Sequence, residues 1–458
     1  MTSAMTRREW FARATALASA SAVLRAQHGG RPMSHAPQPA AAFATPADVT
    51  LRIGEVRHEI APKRIVKTRA YNGQVPGPLL RMTRGRPVIV DVYNDTTEED
   101  IVHWHGLHIP PDVDGVVEEG TPPVPPRGRR RYVFEPTPAG TRWYHSHTMA
   151  GRDFDSGTYT GQFGVLLVEG GDDQGAYDLD VPIVLHEWQP RLRRDGPVDV
   201  EYRAYSINGK MLGAGEPIRV REGQRIRLRL VNASATLAHQ LALAGHLFRV
   251  IALDGNPVPV PVAVPVVDIG PGERVDAVVE MVNPGVWILG AAKTEHRDGG
   301  LGIVIEYADR SGAPRWLPAS PRPWDYTIFG PGRDAPPEPD GRLTLAFKAV
   351  GDGHHWAING RSYPDTDPIV VEAGKRYRWT FDNQSADPHP VHLHRHTFEL
   401  VLVDGRVTRG VRKDVVVVPA WKQVEVDVTA DQPGLALFHC HQQFHMDMGF
   451  MAMVHYRG

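Results

Sequence analysis

Residues 223–232 read Gly-Gln-Arg-Ile-Arg-Leu-Arg-Leu-Val-Asn. Polar and apolar side chains alternate from Arg225 to Leu230, which is typical of a β-strand with one buried face. An Asn-Gly pair at positions 208 and 209 precedes this run and indicates a turn. The segment therefore predicts a turn followed by a half-buried strand.

The same pattern occurs three times along the chain. Each copy has an Asn-Gly pair, then a glycine, then an alternating segment that ends at an asparagine nine residues after that glycine. The copies span residues 72–94, 208–232 and 359–383. Similarity at so long a spacing is typical of repeated β-sandwich domains rather than of a solenoid of small units.

Length and composition agree with this prediction. The 458 residues correspond to about three domains of roughly 150 residues each. The 40 prolines and 45 glycines stand between short runs of valine, isoleucine and leucine, as turns do in an all-β protein. We therefore predict an all-β chain with β-sandwich domains at residues 48–170, 171–312 and 313–458.

Charged residues are balanced, with 51 Lys and Arg against 53 Asp and Glu and a formal net charge of −2. Because there is no basic block, we expect no nucleic-acid partner and no binding to an anionic membrane surface.

The N-terminus resembles a twin-arginine export signal. Arg7 and Arg8 precede a short apolar stretch, residues 14–24, which is too short to span a bilayer. A chance Arg-Arg pair before an Ala-rich helix is the alternative. We expect residues 1–47 to be a signal and a disordered lead-in. We expect the protein to be exported by the twin-arginine machinery and to be periplasmic or secreted. We also expect it to be a monomer that is not stably inserted in a membrane.

Cys440 is the one cysteine of the chain, so an intramolecular disulfide is excluded. A lone thiol in an exported protein needs another explanation, because such compartments are oxidising. Metal ligation is the leading explanation for this cysteine.

Paired histidines follow the repeat in its first and third copies. Nine and eleven residues past the last asparagine, the outer copies have histidines where the middle copy has Leu241 and Leu243. A second alignment starts from a later glycine of each copy, namely Gly140, Gly285 or Gly434. Five to seven residues after it, the outer copies have two further histidine pairs and the middle copy has Gly290-Ala291-Ala292. The four pairs are His103 and His105, His145 and His147, His392 and His394, and His439 and His441. We therefore expect metal in domains one and three, with domain two as a copper-free spacer.

The spacing of these histidines suits a copper site. Residues two apart on a strand project from the same face, and neutral imidazole is a good copper ligand. A single pair of this kind is as often a pair of solvated or core residues as a metal site. Four pairs in register, however, supply eight imidazoles that could converge at one interface. Other histidines fall outside the expected set, and those near the motifs and in the later domains are mostly ordinary surface or core residues. They include His108, His186, His239, His246, His354, His355, His396 and His455.

Cys440 lies between His439 and His441, so its side chain points to the opposite face of the strand. With His389 and His445 it completes the two-His, one-Cys ligand set of a blue copper centre. Domain one has Ser146 at this position and should lack such a centre.

Four runs together resemble the copper motifs of the multicopper oxidases, which include laccases and bacterial cuprous oxidases. The runs are His103-Trp-His-Gly106, Trp143-Tyr-His-Ser-His147, His389-Pro-Val-His-Leu-His394 and His439-Cys-His-Gln-Gln-Phe-His445. The resemblance covers domains one and three closely, and it implies three cupredoxin-like Greek-key domains.

The resemblance also implies four copper ions and their ligands. A type 1 copper would be bound by His389, Cys440 and His445, and a type 2 copper by His103 and His392. The type 3 pair would be bound by His105, His145, His147, His394, His439 and His441. Electrons would enter at type 1, cross the Cys440 path and reduce O2 to water at the trinuclear cluster.

Three positions near these motifs bear on the chemistry. Phe450 stands where the family has an axial Met or Leu, with Met451 next to it, and a missing axial donor predicts a high reduction potential. Met446 replaces a glutamate that many bacterial relatives have, while Asp447 is adjacent. Asp114 matches the family's other acidic proton donor, although a lone Asp before Gly is also a common turn residue.

The leading function is a laccase-like oxidation of phenols or aromatic amines, with a small-molecule or metal-ion electron donor and O2 as partners. Metal oxidation of Cu(I), Fe(II) or Mn(II) in copper tolerance is an alternative, and a copper-sequestering protein is another. Copper nitrite reductase is disfavoured, because it has no use for paired His-X-His motifs.

Overall fold

The computed structural model describes residues 38, 40–170, 177–193, 200–319, 324–332, 336–351 and 355–457. The predicted export signal lies outside the described residues. Within these ranges, no helix is both long and apolar enough to cross a membrane.

The first group of strands forms two four-stranded sheets, with orders β2-β1-β4-β6 and β3-β8-β7-β5. Its strands are β1 (Val49–Ala61), β2 (Arg64–Tyr71), β3 (Leu80–Thr83), β4 (Val88–Asn94), β5 (Val102–His103), β6 (Arg129–Phe134), β7 (Gly140–Ser146) and β8 (Phe163–Glu169).

The second group forms a six-stranded sheet, β12-β9-β14-β19-β16-β17, a five-stranded sheet, β13-β21-β20-β15-β18, and the small pair β10-β11. Its strands are β9 (Leu179–Trp188), β10 (Arg191–Leu192), β11 (Val200–Glu201), β12 (Ala204–Ile207), β13 (Ile218–Val220), β14 (Arg225–Asn232), β15 (His239–Leu243), β16 (Phe248–Leu253), β17 (Asn256–Val264), β18 (Val266–Ile269), β19 (Arg274–Glu280), β20 (Val286–Ala291) and β21 (Gly302–Tyr307).

The third group forms a sheet of order β23-β22-β25-β31-β27-β28, with β29 paired to β27, and a five-stranded sheet, β24-β33-β32-β26-β30. Its strands are β22 (Gly341–Val350), β23 (His355–Ile358), β24 (Ile369–Glu372), β25 (Arg376–Asn383), β26 (His389–Leu393), β27 (Phe398–Val403), β28 (Arg406–Val407), β29 (Arg412–Lys413), β30 (Val415–Val418), β31 (Gln423–Thr429), β32 (Ala436–Cys440) and β33 (Met451–Arg457).

Helix is scarce in the described ranges. The α-helices there are α1 (Thr294–Asp298) and α2 (Gln443–Asp447), and the 3-10 helices are Ala40–Phe43, Gly157–Tyr159 and Tyr326–Phe329. The structure thus confirms the all-β prediction and the three consecutive β-sandwiches, while the exact domain boundaries near residues 170 and 312 stay predictions.

The asparagine that ends each repeat has the same structural role in all three copies. Asn94, Asn232 and Asn383 are all buried at the ends of β4, β14 and β25. Each side-chain amide donates to one backbone carbonyl of the following loop and to another on a segment 30 or more residues away. Each side-chain oxygen accepts from the backbone N–H two residues later. This asparagine therefore shapes the loop that leads into the next strand of the opposite sheet.

The middle repeat is offset by one residue from the third. Strand pairing sets Leu241 opposite Ala291 and Val391 opposite Cys440, so Leu241 matches Val391. The positions that match the third domain's histidine pair are therefore Ala242 and Ala244, and the equivalence of Leu241 and Leu243 with that pair was wrong. The cause is a loop one residue longer between β14 and β15 than between β25 and β26. Both matched positions are apolar, as expected.

Candidate metal centres

The predicted histidine pairs lie on neighbouring strands of two sheets. In the first domain, β5 pairs with β7 and sets His103 opposite His145. In the third, β26 pairs with β32 and sets His392 opposite His439. Directly opposed residues share one face of a sheet, so each domain presents its two histidine pairs together.

These two faces meet, and the eight imidazoles form one cluster. The ring centroids of His105 and His392 are 3.9 Å apart, and those of His103 and His394 are 4.0 Å apart. His147 and His439 approach to 5.1 Å. All eight predicted histidines are therefore brought together, seven of them buried and His147 partly exposed.

In two histidines of the cluster, Nδ1 is hydrogen-bonded to a backbone carbonyl. Nδ1 of His103 lies 2.9 Å from the carbonyl of Asp114, and Nδ1 of His392 lies 2.8 Å from the carbonyl of Asp414. Because a carbonyl only accepts, these nitrogens carry the proton and each Nε2 has a free lone pair. Among the described residues, Nε2 has no hydrogen-bond partner in His103, His145, His147 and His392. Buried lone pairs aimed at a common space fit metal ligation.

Burial also keeps seven of these rings neutral, which is the state that binds metal. It lowers the pKa of His392 to about 4 and places the pKa of six others well below their usual range. These six are His105, His145, His147, His394, His439 and His441.

The second cluster is on the opposite face of β32. Sγ of Cys440 lies 3.7 Å from Nδ1 of His389 and 3.7 Å from Nδ1 of His445, and these two nitrogens are 3.2 Å apart. With metal bonds of about 2.0–2.1 Å to nitrogen and about 2.3 Å to sulfur, ligands on one ion stand roughly 3.3–3.6 Å apart for two nitrogens and roughly 3.6–3.8 Å for nitrogen and sulfur. The three predicted side chains therefore fit one metal ion.

The electrostatics of this cluster also point to a cation. Burial raises the pKa of the Cys440 thiol, so a thiolate there needs a positive charge beside it. Burial lowers the pKa of His445 to about 3. His389 and Cys440 are fully buried, whereas His445 is 8% exposed. Of the three side chains, His445 is therefore the one that an outside electron donor can approach.

Phe450, and not Met451, faces this cluster. The Phe450 ring centroid is 5.0 Å from that of His389. Met451 points the other way and packs with Val116, Leu437 and Met446. An apolar ring thus occupies the region where the axial residue was expected.

Trp356 is a residue of this site that sequence reasoning missed. Its indole centroid is 4.4 Å from the His389 ring and 4.3 Å from the His445 ring. It lies on β23, far from the copper motifs in sequence, and a single buried aromatic residue gives no pattern to detect.

Asp114 lies at the histidine cluster, as predicted. Its Oδ2 is 2.9 Å from Nδ1 of His394 and 3.2 Å from Nδ1 of His103. A second carboxyl, that of Glu119, was missed, and its Oε1 is 3.5 Å from Nδ1 of His394. Burial and the neighbouring Asp114 raise the pKa of Glu119 well above its usual range, so Glu119 holds a proton beside Asp114.

Asp414 was also missed, and it supports the cluster from the other side. Its Oδ1 is 3.1 Å from Nε2 of His105, and its two oxygens accept from Arg274 at 2.6 and 2.5 Å. Burial acts to raise the pKa of Asp414, but Arg274 outweighs it and holds this pKa at about 2. A permanently ionised carboxylate therefore orients His105.

Met446 and Asp447, which follow His445, have structural roles. Met446 packs in the core and contributes no proton. Asp447 accepts from the backbone N–H groups of Ala150 and Gly151, and burial raises its pKa to about 7. Arg395, next to His394, takes a φ of 61° and donates to three backbone carbonyls of neighbouring loops.

Comparisons with known proteins agree with this geometry. Sequence models described as multicopper oxidase match residues 53–173, 181–307 and 335–457. The multicopper oxidase MmcO of Mycobacterium tuberculosis is 30% identical over 97% of this chain and 92% of its own. Copper resistance protein A of Escherichia coli is 24% identical over 91% of this chain and 93% of its own.

Among solved structures, a multi-copper oxidase from Pseudomonas thermotolerans matches with a TM-score of 0.71 and 26% identity, over 90% of this chain and 100% of that one. The three sandwiches are therefore cupredoxin-like domains. The chain belongs to the multicopper oxidase family, whose members are copper-dependent oxidoreductases that use O2.

Proposed function

We propose that this protein is a laccase-like oxidase of phenols and aromatic amines. His389, Cys440 and His445 would hold the type 1 copper. His103 and His392 would hold type 2, and the other six histidines of the first cluster would hold the type 3 pair. When bound, these four copper ions supply one-electron oxidation at type 1 and four-electron reduction of O2 to water at the trinuclear cluster.

One observation carries this proposal: Cys440 belongs to one cluster while its neighbours His439 and His441 belong to the other. The covalent path between the clusters is therefore the shortest that a polypeptide can offer. Asp114 and Glu119 stand beside His394 and are proposed to supply the protons that oxygen reduction consumes.

The surroundings of His445 favour an aromatic donor. The Trp356 ring lies against it, and its neighbour Phe444 packs in an apolar cluster with Tyr159 and, at its edge, Phe154 and Tyr202. Trp356, Phe444 and Tyr159 are buried, so they give His445 an apolar surrounding, which suits a phenol or an aromatic amine better than a hydrated metal ion. A metal-ion donor instead needs oxygen, nitrogen or sulfur ligands. Met446, the residue after His445, packs in the core, so its sulfur is not available for such a donor.

Copper tolerance through metal oxidation remains the rival function, because one relative is named copper resistance protein A. Oxygen uptake should therefore be measured with a phenol, an aromatic amine, Cu(I), Fe(II) and Mn(II) as electron donors. The proposal predicts the highest kcat/KM with the phenol or the amine. A higher value with a metal ion would favour metal oxidation, and no uptake with any donor would favour a copper-sequestering protein.

Trp356→Leu tests the aromatic contact directly. Trp356 is 5% exposed, so it acts by holding the His445 ring, and an aromatic contact of this kind contributes about 0.5–1.5 kcal/mol. We therefore expect kcat/KM for the phenol to fall up to about tenfold. The control is Trp421→Leu, because Trp421 is 67% exposed and outside both clusters. An equal kcat/KM in Trp356→Leu and the control would contradict a role of Trp356 in donor oxidation at His445.

We also propose export by the twin-arginine route to the periplasm or the exterior, on the basis of Arg7 and Arg8. Cell fractionation of an Arg7→Lys, Arg8→Lys variant tests this. The account predicts retention in the cytoplasm, and unchanged export would contradict it.

A further inference from the structure

The middle domain repeats the arrangement of the Cys440 cluster. His239 is the first residue of β15, as His389 is the first residue of β26. His296 is the third residue of α1, as His445 is the third residue of α2. The two imidazole rings are 5.2 Å apart in the middle domain and 5.0 Å apart in the third.

The groups around these rings correspond as well. Oγ of Ser234 lies 3.0 Å from Nε2 of His239, and Oγ of Ser385 lies 2.9 Å from Nε2 of His389. Tyr205, the second residue of β12, stacks on His296 with the centroids 4.7 Å apart. In the third domain, the second residue of β23 is the tryptophan that lies against His445.

Two differences define the chemistry of the middle domain. Ala291 ends β20 where Cys440 ends β32, so no thiolate is present. A carboxyl is present instead: Oε1 of Glu187 lies 3.2 Å from Nε2 of His239, and both side chains are completely buried.

The Glu187 contact determines which nitrogen of His239 is available. A carboxylate accepts hydrogen bonds, so Nε2 of His239 carries the proton and Nδ1 has the lone pair. Among the described residues, Nδ1 of His239 and Oε2 of Glu187 both lack a hydrogen-bond partner. A carboxylate that orients a histidine in this way is a common support for a metal ligand.

A cavity of about 620 Å³ adjoins both rings. Its lining includes His239, Gln240, Asp268, Lys293 and His296. Burial lowers the pKa of His296 to about 4, so this ring is neutral near pH 7. The site thus has two neutral imidazoles and space beside them for water ligands.

We propose that His239 and His296 bind one Cu(II) ion in the middle domain, with Glu187 orienting His239. Imidazole ligands suit copper, and Cu(II) is bound more tightly than other divalent first-row ions by such donors. Without a thiolate the bound ion would lack the blue absorption, and the site is independent of which donor the enzyme oxidises. The middle domain would then be more than a copper-free spacer.

Copper content tests this proposal. The holoenzyme and its variants His239→Gln and His296→Gln are dialysed against excess Cu(II), then against buffer, and copper per chain is measured. The control is His246→Gln, a buried histidine of the same domain whose nitrogens contact Ala244 and Tyr307.

We expect His239→Gln and His296→Gln to hold one copper ion fewer than the wild type and to lose a non-blue Cu(II) signal in electron paramagnetic resonance. The blue absorption should be unchanged, which shows that the third domain is intact. Equal copper content in the wild type and both variants would overturn the proposal, and so would an equal loss in His246→Gln.

A gain of function provides a second test that misfolding cannot mimic. Ala291→Cys places a thiol where Cys440 stands in the third domain. In a Cys440→Ser background, which removes the original thiolate, Ala291→Cys should produce a new blue band on addition of Cu(II). A colourless double variant would contradict a preformed pair of histidines.

Discussion

Nε2 of His394 lies 3.0 Å from Nε2 of His439. Nδ1 of His394 donates to the Asp114 carboxylate and Nδ1 of His439 donates to the carbonyl of Cys440, so both Nε2 atoms carry lone pairs. Two buried lone pairs at this distance repel each other unless a cation lies near them. This contact is a direct structural sign that the cluster is built for metal.

The buried histidines predict how the copper-free protein responds to acid. Burial holds the folded-state pKa of His392 and His396 at about 4, below the usual 6.5, so the unfolded chain binds more protons below pH 6.5. Buried carboxyls with a raised pKa, such as Asp447 and Glu119, contribute the opposite slope, but the histidines with a lowered pKa outnumber them among the described residues. The free energy of unfolding should therefore be highest above pH 6.5 and fall between pH 6.5 and about 4. The slope is up to about 1.4 kcal/mol per pH unit for each histidine.

Urea unfolding of the copper-free protein at several pH values measures this dependence. Burial also lowers the pKa of His108, which lies outside both clusters, to about 4, so His108→Gln should reduce the slope. A free energy of unfolding that is constant from pH 7 to 5 would contradict the account.

Asp114→Asn should slow reoxidation of the reduced enzyme by O2 on the order of 100-fold, because it removes an ionisable group and keeps the oxygen that accepts from His394. The blue absorption should not change. Stopped-flow reoxidation measures the rate, with Asp112→Asn as control, since Asp112 is exposed. A rate equal to that of the wild type would refute a role in proton supply.

Phe450→Met should lower the reduction potential of the type 1 copper. Phe450 lies beside His389, and a thioether there adds an axial donor that the native phenyl ring lacks. Redox titration of the blue band measures the potential, and Met451→Leu is the control because Met451 faces the opposite side. An equal potential in Phe450→Met and the wild type would show that residue 450 does not control this centre.

The sequence predicted which residues form the two clusters, because these residues occur in short motifs with strand spacing. The alternation of His439, Cys440 and His441 predicts two opposite faces, and the structure has them. Glu119, Asp414 and Trp356 could not be predicted, since each reaches a cluster from a distant segment and has no motif of its own.

His239 was set aside for a different reason. Counting a fixed number of residues from each asparagine fails in the middle repeat, where one extra residue shifts His239 out of register with His389. Strand pairing restores the correct register, and only then does the likeness of the two histidine pairs become visible.

Cys440 is proposed to join the site of donor oxidation to the site of oxygen reduction. Cys440→Ser should remove the blue absorption and one copper ion per chain, and oxygen uptake with a phenol should become undetectable. Its chemically reduced cluster should still be reoxidised by O2. Oxygen uptake with the phenol at the wild-type rate in Cys440→Ser would contradict the account.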